Sequence, residues 1–180
     1  MVSPTVSPAL VEPRRPPTVA AVHSALAEVA DPEIPVVSIV DLGLVARAAV
    51  DPTDGSIHVT LLPTFVGCPA LEVIRAAVEE RLAAFDRPVR VDFSFAPPWT
   101  SDRITTRGRE RLRRSGFAPP SPAPAADAPM LIQLAPADSV SCPHCGSRRT
   151  VLENAFGPTQ CRSIHHCTGC RQPFEAFKPV

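Results

Sequence analysis

Residues 57–85 read IHVTLLPTFVGCPALEVIRAAVEERLAAF: an apolar segment, a short loop and a charged amphipathic segment. The first part, residues 57–62, has the apolar and β-branched character of a strand. In residues 69–85 the apolar side chains recur at helical spacing and share one face, which comprises Leu71, Ile74, Val78 and Leu82. The stretch therefore predicts a strand that leads into a helix through a loop containing Cys68.

The segments around this stretch predict an α/β (α+β) domain. Residues 44–50 favour a strand, and the turn sequence DPTDG at 51–55 joins it to the next strand as a hairpin. The remaining predicted elements are a helix at 18–30 with Thr18 as its N-cap, a strand at 89–95 and an arginine-rich helix at 103–115. The order helix-strand-strand-helix-strand-helix indicates a small two-layer domain.

The 23 prolines divide the chain into four parts. Residues 1–17 predict a flexible leader. Residues 117–138 predict an extended Pro/Ala-rich linker, because proline removes a donor and favours polyproline II. The α/β domain therefore occupies residues 18–116, and a small module follows at residues 139–180.

Composition argues against several classes of function. The net charge of +0 over 180 residues argues against a nucleic-acid binder, and no apolar run reaches the roughly 18 residues of a membrane span. The N-terminus lacks the charged and apolar regions of a secretory signal. We therefore expect a cytoplasmic protein, whose six cysteines serve as metal ligands or reactive thiols rather than disulfides.

Two Cys-x-x-Cys pairs near the C-terminus predict a metal site. The four thiols belong to Cys142, Cys145, Cys167 and Cys170. Pairs about twenty residues apart suit tetrahedral zinc in a closed structural site. The alternatives are unrelated or redox-active thiol pairs, a rubredoxin-like iron site or a four-cysteine iron–sulfur cluster. Because four thiolates complete the shell, we expect His144, His165 and His166 to be exposed.

Cys161 is a fifth thiol in the same module, with three interpretations. It replaces one of the four ligands, it is a reactive thiol near the metal, or it is a buried small residue.

Cys68 is expected at the start of the helix, with Pro69 at the first helical position. An N-cap thiol next to unpaired amides favours the thiolate, which can attack an electrophile, carry a persulfide or ligate iron. The alternative is a buried apolar cysteine. Asp31, Glu33 and Asp41 either form a carboxylate group near Cys68 or mark the exit of the first helix.

Arg103, Arg107, Arg111 and Arg114 lie at helical spacing and form one basic stripe. The stripe is either a solvated face that balances the acidic domain, or a docking surface for an acidic partner or an anionic ligand.

Three motifs resemble a family of iron–sulfur assembly proteins that includes bacterial SufT and the eukaryotic cytosolic Fe–S targeting factor. They are Asp-Pro-Glu at 31–33, Asp-Leu-Gly-Leu at 41–44 and Cys-Pro at 68–69. The C-terminal motifs CPHCGS, FGPTQC and CTGCRQPFEAFK are similar to the zinc module of the PaaD (PaaJ) family. Pro158, where serine is expected, and the Ile-His-His run at 164–166 depart from that pattern without removing a cysteine.

The resemblance implies a non-catalytic accessory subunit of a multicomponent phenylacetyl-CoA epoxidase. Such an accessory protein assists assembly or maintenance of iron or iron–sulfur centres. The resemblance implies Cys68 as a ligand of a transient iron ion or iron–sulfur cluster, and zinc as a structural metal. Its expected partners are the di-iron oxygenase and reductase subunits, and a second copy of the chain, forming a homodimer, is a further candidate partner. The rival hypotheses are a sulfur or persulfide transfer enzyme using Cys68 or Cys161, and a nucleic-acid-binding zinc ribbon.

Overall fold

The computed structural model describes residues 15–65, 67–120 and 140–178, which form three α-helices and two sheets. The helices are α1 (Val19–Leu26), α2 (Leu71–Ala83) and α3 (Thr106–Arg114), with a short 3-10 helix at Ser101–Arg103. The strands are β1 (Val45–Val50), β2 (Ile57–Leu61), β3 (Val89–Phe93), β4 (Phe117–Ala118), β5 (Thr150–Asn154), β6 (Arg162–Cys167) and β7 (Pro173–Phe177). The predicted mixed α/β class is confirmed.

The first sheet has the order β1-β2-β3. β1 and β2 form the predicted antiparallel hairpin, and β2 pairs with β3 in parallel. A parallel pair needs a crossover connection, which α2 supplies while burying Ile74, Val78 and Leu82. The helix predicted from the apolar spacing is therefore the crossover connection between β2 and β3.

α1 begins where the sequence indicates, since the Thr18 hydroxyl accepts a hydrogen bond from the Ala21 N–H at 3.1 Å. The helix ends at Leu26, earlier than the predicted residue 30. Ala30 instead forms an isolated antiparallel bridge with Ser38. The chain has thus left the helix before it reaches Asp31.

The second sheet has the order β4-β7-β6-β5 and joins the two parts of the chain. β4 follows directly after α3 and pairs in parallel with β7, with Phe117 opposite Glu175. The linker predicted for 117–138 therefore starts with a strand of this sheet. Residues 121–138 of that linker and residues 1–14 of the predicted leader lie outside the described residues.

The C-terminal module, residues 140–178, packs on the N-terminal domain, residues 15–116. Phe177 of β7 belongs to the apolar core of that domain. Its ring lies 5.8 Å from the ring of buried Trp99, measured between centroids. The Lys178 N–H also donates to the Cys161 carbonyl at 2.9 Å, which holds β7 beside the segment before β6.

Candidate metal centre and thiol cavity

The four predicted ligands Cys142, Cys145, Cys167 and Cys170 form one sulfur cluster. Their sulfur atoms all lie within 4.8 Å of one another. The distance is 3.7 Å between Cys142 and Cys170 and 3.6 Å between Cys145 and Cys167. Zinc–sulfur bonds of about 2.3 Å in a tetrahedron place sulfurs roughly 3.8 Å apart. The donor set therefore fits zinc.

Two tight turns bring these sulfurs together. In the first, Gly146 N–H donates to the Cys142 carbonyl at 2.9 Å, and in the second Arg171 N–H donates to the Cys167 carbonyl at 2.8 Å. Backbone N–H groups of Cys170 and Gly169 point at the Cys167 sulfur and lower its pKa to about 6. Burial and the neighbouring thiols raise the pKa of Cys170 to about 12, so in the metal-free cluster the thiolate that a metal ion requires is favoured at Cys167.

The histidines near this cluster differ in exposure. His144 is exposed as predicted, but the expectation of exposure is wrong for His165 and for the half-buried His166. His165 is buried and stacks on Phe174, with ring centroids 5.5 Å apart, and its Nε2 lies 3.0 Å from the Ser163 hydroxyl. Burial lowers the pKa of His165 and favours the neutral ring. It is a core residue of the second sheet.

A separate cavity of about 250 Å³ lies between the N-terminal domain and the C-terminal module. We call it the thiol cavity, because Cys68 and Cys161 both line it. Glu33 and the loop before α2 contribute one side, and the segment 156–161 contributes the other. The fifth cysteine of the module is therefore a partner of Cys68 in this cavity, and it does not belong to the four-sulfur cluster.

Cys161 contacts groups from both parts of the chain. Its sulfur lies 3.7 Å from Glu33 Oε2, to which the thiol donates, and 3.1 Å from the Thr159 hydroxyl. Burial raises the pKa of the Cys161 thiol, and the negative charge of Glu33 acts in the same direction. In the absence of a metal, the protonated thiol of Cys161 is therefore favoured over the thiolate.

Cys68 does not occupy the predicted N-cap of α2. The N-cap is Ala70, two residues further along the chain. A backbone hydrogen bond from Ala70 favours the Cys68 thiolate, but burial outweighs it, so the predicted low-pKa thiolate is wrong. Burial raises the pKa of the Cys68 thiol, and the nearby carboxylates of Glu33 and Asp31 raise it further. A cation bound in the cavity would reverse this balance, because coordination deprotonates a thiol.

Asp31 holds the turn that presents Glu33. One of its oxygens accepts hydrogen bonds from the N–H groups of Glu33 at 2.9 Å and Ile34 at 2.8 Å. Burial raises the pKa of Asp31. Asp31 also lines a smaller void of about 30 Å³ that Cys68 and Cys161 share, so two of the three predicted carboxylates lie near the thiols.

Asp41, the third predicted carboxylate, lies elsewhere. Its side chain is fully buried, with Arg107 Nε at 2.7 Å and Arg111 Nη1 at 3.0 Å from its two oxygens. Burial opposes ionisation of Asp41. The hydrogen bond and charge of Arg107, and to a smaller extent the charge of Arg111, nevertheless lower its pKa. Asp41 does not line the thiol cavity.

The helix predicted at 103–115 is wrong at its start, because Arg103 lies in the 3-10 helix and α3 begins at Thr106. Arg103 is therefore not part of a stripe on α3, and the predicted stripe is partly engaged within the domain. Besides the two arginines on Asp41, Arg103 donates to the Gly43 carbonyl at 2.9 Å and to the Val45 carbonyl at 3.4 Å. Arg114 is exposed. The Asp-Leu-Gly-Leu motif is therefore the place where α3 and the preceding turn attach to the domain.

Two aromatic residues at the cavity were not singled out by sequence reasoning. Phe65 is 46% exposed and Phe156 is 71% exposed, and both line the thiol cavity. The Lys178 ammonium lies 4.8 Å from the Phe156 ring centroid. The sequence signal that could have identified them is a phenylalanine a few residues before each thiol, Phe65 before Cys68 and Phe156 before Cys161.

Comparison with known proteins agrees with this arrangement. Residues 19–93 match the iron–sulfur cluster assembly protein family, and residues 126–178 match the PaaD zinc beta ribbon domain. The chain is 38% identical over 166 residues to a protein of Escherichia coli K12 named as a 1,2-phenylacetyl-CoA epoxidase subunit, covering 92% of this chain and 95% of that protein. The chain therefore belongs to the PaaD family of phenylacetyl-CoA epoxidase subunits.

Further relatives match the N-terminal half. The Fe-S protein maturation auxiliary factor YitW of Bacillus subtilis 168 is 37% identical over 86 residues, which is 47% of this chain and 82% of that protein. A domain of unknown function, DUF59, from Bacillus anthracis is 28% identical, with a TM-score of 0.49 over 52% of this chain and 90% of that one. The Thermotoga maritima protein TM0487 is 31% identical, with a TM-score of 0.46 over 53% and 93%.

None of the helices in the described residues has the length and apolar character needed to cross a membrane.

Proposed function

We propose that this protein is an accessory subunit of a phenylacetyl-CoA epoxidase that helps to assemble or maintain the iron or iron–sulfur centres of its partner subunits. The observation that carries the proposal is the nearly full-length similarity to a protein named as a subunit of that enzyme. The similarity of the N-terminal half to a protein named as an Fe–S maturation factor supports the second part.

The two cysteine sites have different chemistry, which supports separate roles. The four-sulfur cluster offers a complete tetrahedral shell, which is typical of a structural zinc ion with no open position. The thiol cavity instead offers soft donors beside a carboxylate, a combination that suits a transient iron species. We assign zinc to the first site and iron handling to the second.

The proposed partners are the oxygenase and reductase subunits of the epoxidase, in the cytoplasm. Phe65 and Phe156 at the cavity are apolar surface that such a partner would cover. Arg107 and Arg111 keep about half of their side chains exposed, at 57% and 48%, while they neutralise Asp41. Two arginines against one carboxylate leave net positive charge on this surface, which does not line the thiol cavity and suits an acidic partner.

Co-expression tests this function. The catalytic subunits are produced in a host that lacks a homologue, with wild-type protein, with the Cys68→Ser variant, or alone. We expect the iron content and epoxidation rate of the oxygenase to fall without this chain and with Cys68→Ser. Glu153→Gln, which changes an exposed carboxylate away from the cavity, is the matched control.

Two results would contradict the proposal. Full iron loading in the absence of this chain would refute a role in assembly or maintenance. Persulfide transfer by the isolated protein, lost in Cys68→Ser while iron loading is unaffected, would favour the sulfur-transfer enzyme.

A further inference from the structure

The thiol cavity draws its metal-binding groups from both parts of the chain. Cys68 and Glu33 belong to the N-terminal domain, whereas Cys161 belongs to the C-terminal module and hydrogen-bonds to Glu33. Neither part supplies all three of these groups. The cavity is thus a composite feature that exists only while the module is docked.

The spacing of these groups differs from that of the zinc ligands. Among the described residues, the four C-terminal cysteines are the group whose donor atoms lie within 4.8 Å of one another. Cys68, Cys161 and Glu33 do not close to that spacing, although Cys161 and Glu33 are 3.7 Å apart. In this conformation at least one donor distance from Cys68 therefore exceeds 4.8 Å, and a single bare ion would not reach all three donors.

We propose that the thiol cavity is a cross-module site for an iron–sulfur cluster, held by Cys68 and Glu33 on the N-terminal domain and by Cys161 on the docked C-terminal module. A cluster has two or more iron atoms, so its ligands need not converge on one point. This deepens the proposed function by naming how its cargo is held, while the binding itself is a property of the isolated chain.

The donor set also suits a cluster that is transferred to another protein. A stable cluster is usually held by four cysteine thiolates, whereas this cavity supplies two thiols and one carboxylate. One ligand position is left for an exchangeable group or for a thiol of the receiving protein. On binding, each thiol releases its proton to solvent and its sulfur bonds to iron, with no change in oxidation state.

Asp31 acts as a positioning residue for this site. Its carboxylate accepts the N–H groups of Glu33 and Ile34, and it thereby fixes the turn from which the Glu33 side chain reaches Cys161. A zinc ion on the four C-terminal cysteines would position Cys161 in the same indirect way, because it stabilises the module that carries Cys161.

Anaerobic reconstitution tests the site. The zinc-loaded protein is mixed with equal amounts of ferric iron and sulfide and desalted, and then iron, acid-labile sulfide, zinc and the visible circular dichroism are measured. We expect wild type to retain iron and sulfide together while keeping its zinc. Cys68→Ser and Cys161→Ser should each retain at least about tenfold less cluster, the loss typical of even indirect changes at metal sites.

Matched variants separate ligation from folding. Glu33→Gln keeps the size of the side chain and should release the cluster to a chelator about tenfold faster, whereas Glu153→Gln should behave as wild type. Retained zinc and unchanged Trp99 emission show that a variant is folded. Cys161→Ala replaces Cys161→Ser if the serine variant loses zinc, and Glu33→Gln decides the case if both do.

Three outcomes would overturn the cross-module site. These are cluster retention by a folded Cys161→Ser variant, retention of iron without sulfide, and cluster gained with a matching loss of zinc. The last would place the cluster on the four C-terminal cysteines. Failure of the co-expression experiment would refute the epoxidase role but leave these measurements unchanged, so the two proposals fail independently.

Discussion

Asp41 is a buried carboxylate whose charge two arginines neutralise. The Asp-Leu-Gly-Leu motif that it begins therefore has a structural role, whereas the sequence suggested a carboxylate beside the thiols. Its oxygens lie 2.7 Å from Arg107 and 3.0 Å from Arg111. The Thr105 N–H also donates to the Asp41 carbonyl at 2.9 Å. Both the backbone and the side chain of Asp41 therefore attach the start of α3 to the domain.

Replacing the Asp41 carboxylate tests this role. Asp41→Asn removes the charge and should lower the free energy of unfolding by about 2 kcal/mol, the range for hydrogen bonds to charged groups. Urea unfolding followed by circular dichroism measures the change. Asp92→Asn removes half of an exposed ion pair with Arg90 and should change stability by less than about 1 kcal/mol. Equal effects would contradict the assignment.

The stabilisation from Asp41 should depend on pH. The pKa of Asp41 is lower in the folded state than the ordinary value of about 3.9. The carboxylate therefore contributes its full stability above the unfolded pKa and loses it as pH falls through the folded pKa. The stability difference between wild type and Asp41→Asn should stay constant near neutral pH and shrink below about pH 4. A difference that grows on acidification would contradict this.

The raised pKa values of Cys68 and Cys161 can be tested by alkylation of the zinc-loaded, iron-free protein. Because the thiolate is the nucleophile, both residues should react slowly with iodoacetamide at pH 7, and faster as pH rises beyond the ordinary thiol pKa of about 8.5. Mass spectrometry of peptides gives the rates. Fast modification of Cys68 at pH 7 would restore the low-pKa thiolate that the sequence suggested.

At the scale of elements, α3 approaches the loop containing Asp41 through a glycine. A Cβ atom added to Gly108 would lie 2.5 Å from the Asp41 carbonyl oxygen. The same contact region excludes a side chain at Gly43, whose φ is +68° and whose added Cβ would lie 2.3 Å from the Arg103 carbonyl oxygen. Because backbone packs directly on backbone at both positions, neither leaves room for a side chain, and glycine is required there.

Gly108→Ala measures this close approach. Alanine favours a helix interior by about 1 kcal/mol over glycine, but the clash with backbone should outweigh that gain and destabilise the protein by about 1–3 kcal/mol. Thermal unfolding gives the difference. Arg113→Ala on the exposed side of α3 removes an ion pair with Glu110 and serves as the control. A Gly108→Ala protein more stable than wild type would contradict the packing.

At the scale of the whole molecule, Trp99 reports whether the C-terminal module is docked. It is the one tryptophan of the chain, it is 2% exposed, and its ring lies 5.8 Å from that of Phe177. Its indole N–H donates to the Leu42 carbonyl at 2.9 Å. Loss of the module from this surface would expose the indole to water.

Removal of the metal should therefore change the fluorescence of Trp99. A small module of this kind depends on its metal for folding, so chelation should release Phe177 and shift the Trp99 emission to longer wavelength. Phe177→Ala should produce part of the same shift with the metal retained. Unchanged emission after complete metal loss would show that the module stays docked without its ion.

Much of the candidate site could be predicted from sequence because its signals are local. The Cys-x-x-Cys pairs specify two turns, and the spacing of Leu71, Ile74, Val78 and Leu82 specifies the buried face of a helix. The resemblance added the family, which the comparisons confirm. The N-cap at Cys68 was wrong because helix starts depend on backbone geometry that single residues indicate poorly.

The sequence by itself determined the mixed α/β class, the hairpin, the helix α2 and the four-cysteine site, since each rests on residues close together in the chain. Only the tertiary structure separated Asp41 from Asp31 and Glu33 and brought Cys161 to Cys68. The physical reason is that Phe177 buries its ring against Trp99 and β4 pairs with β7. Such contacts join residues far apart in the chain, and no local pattern of side chains encodes which distant surface they will meet.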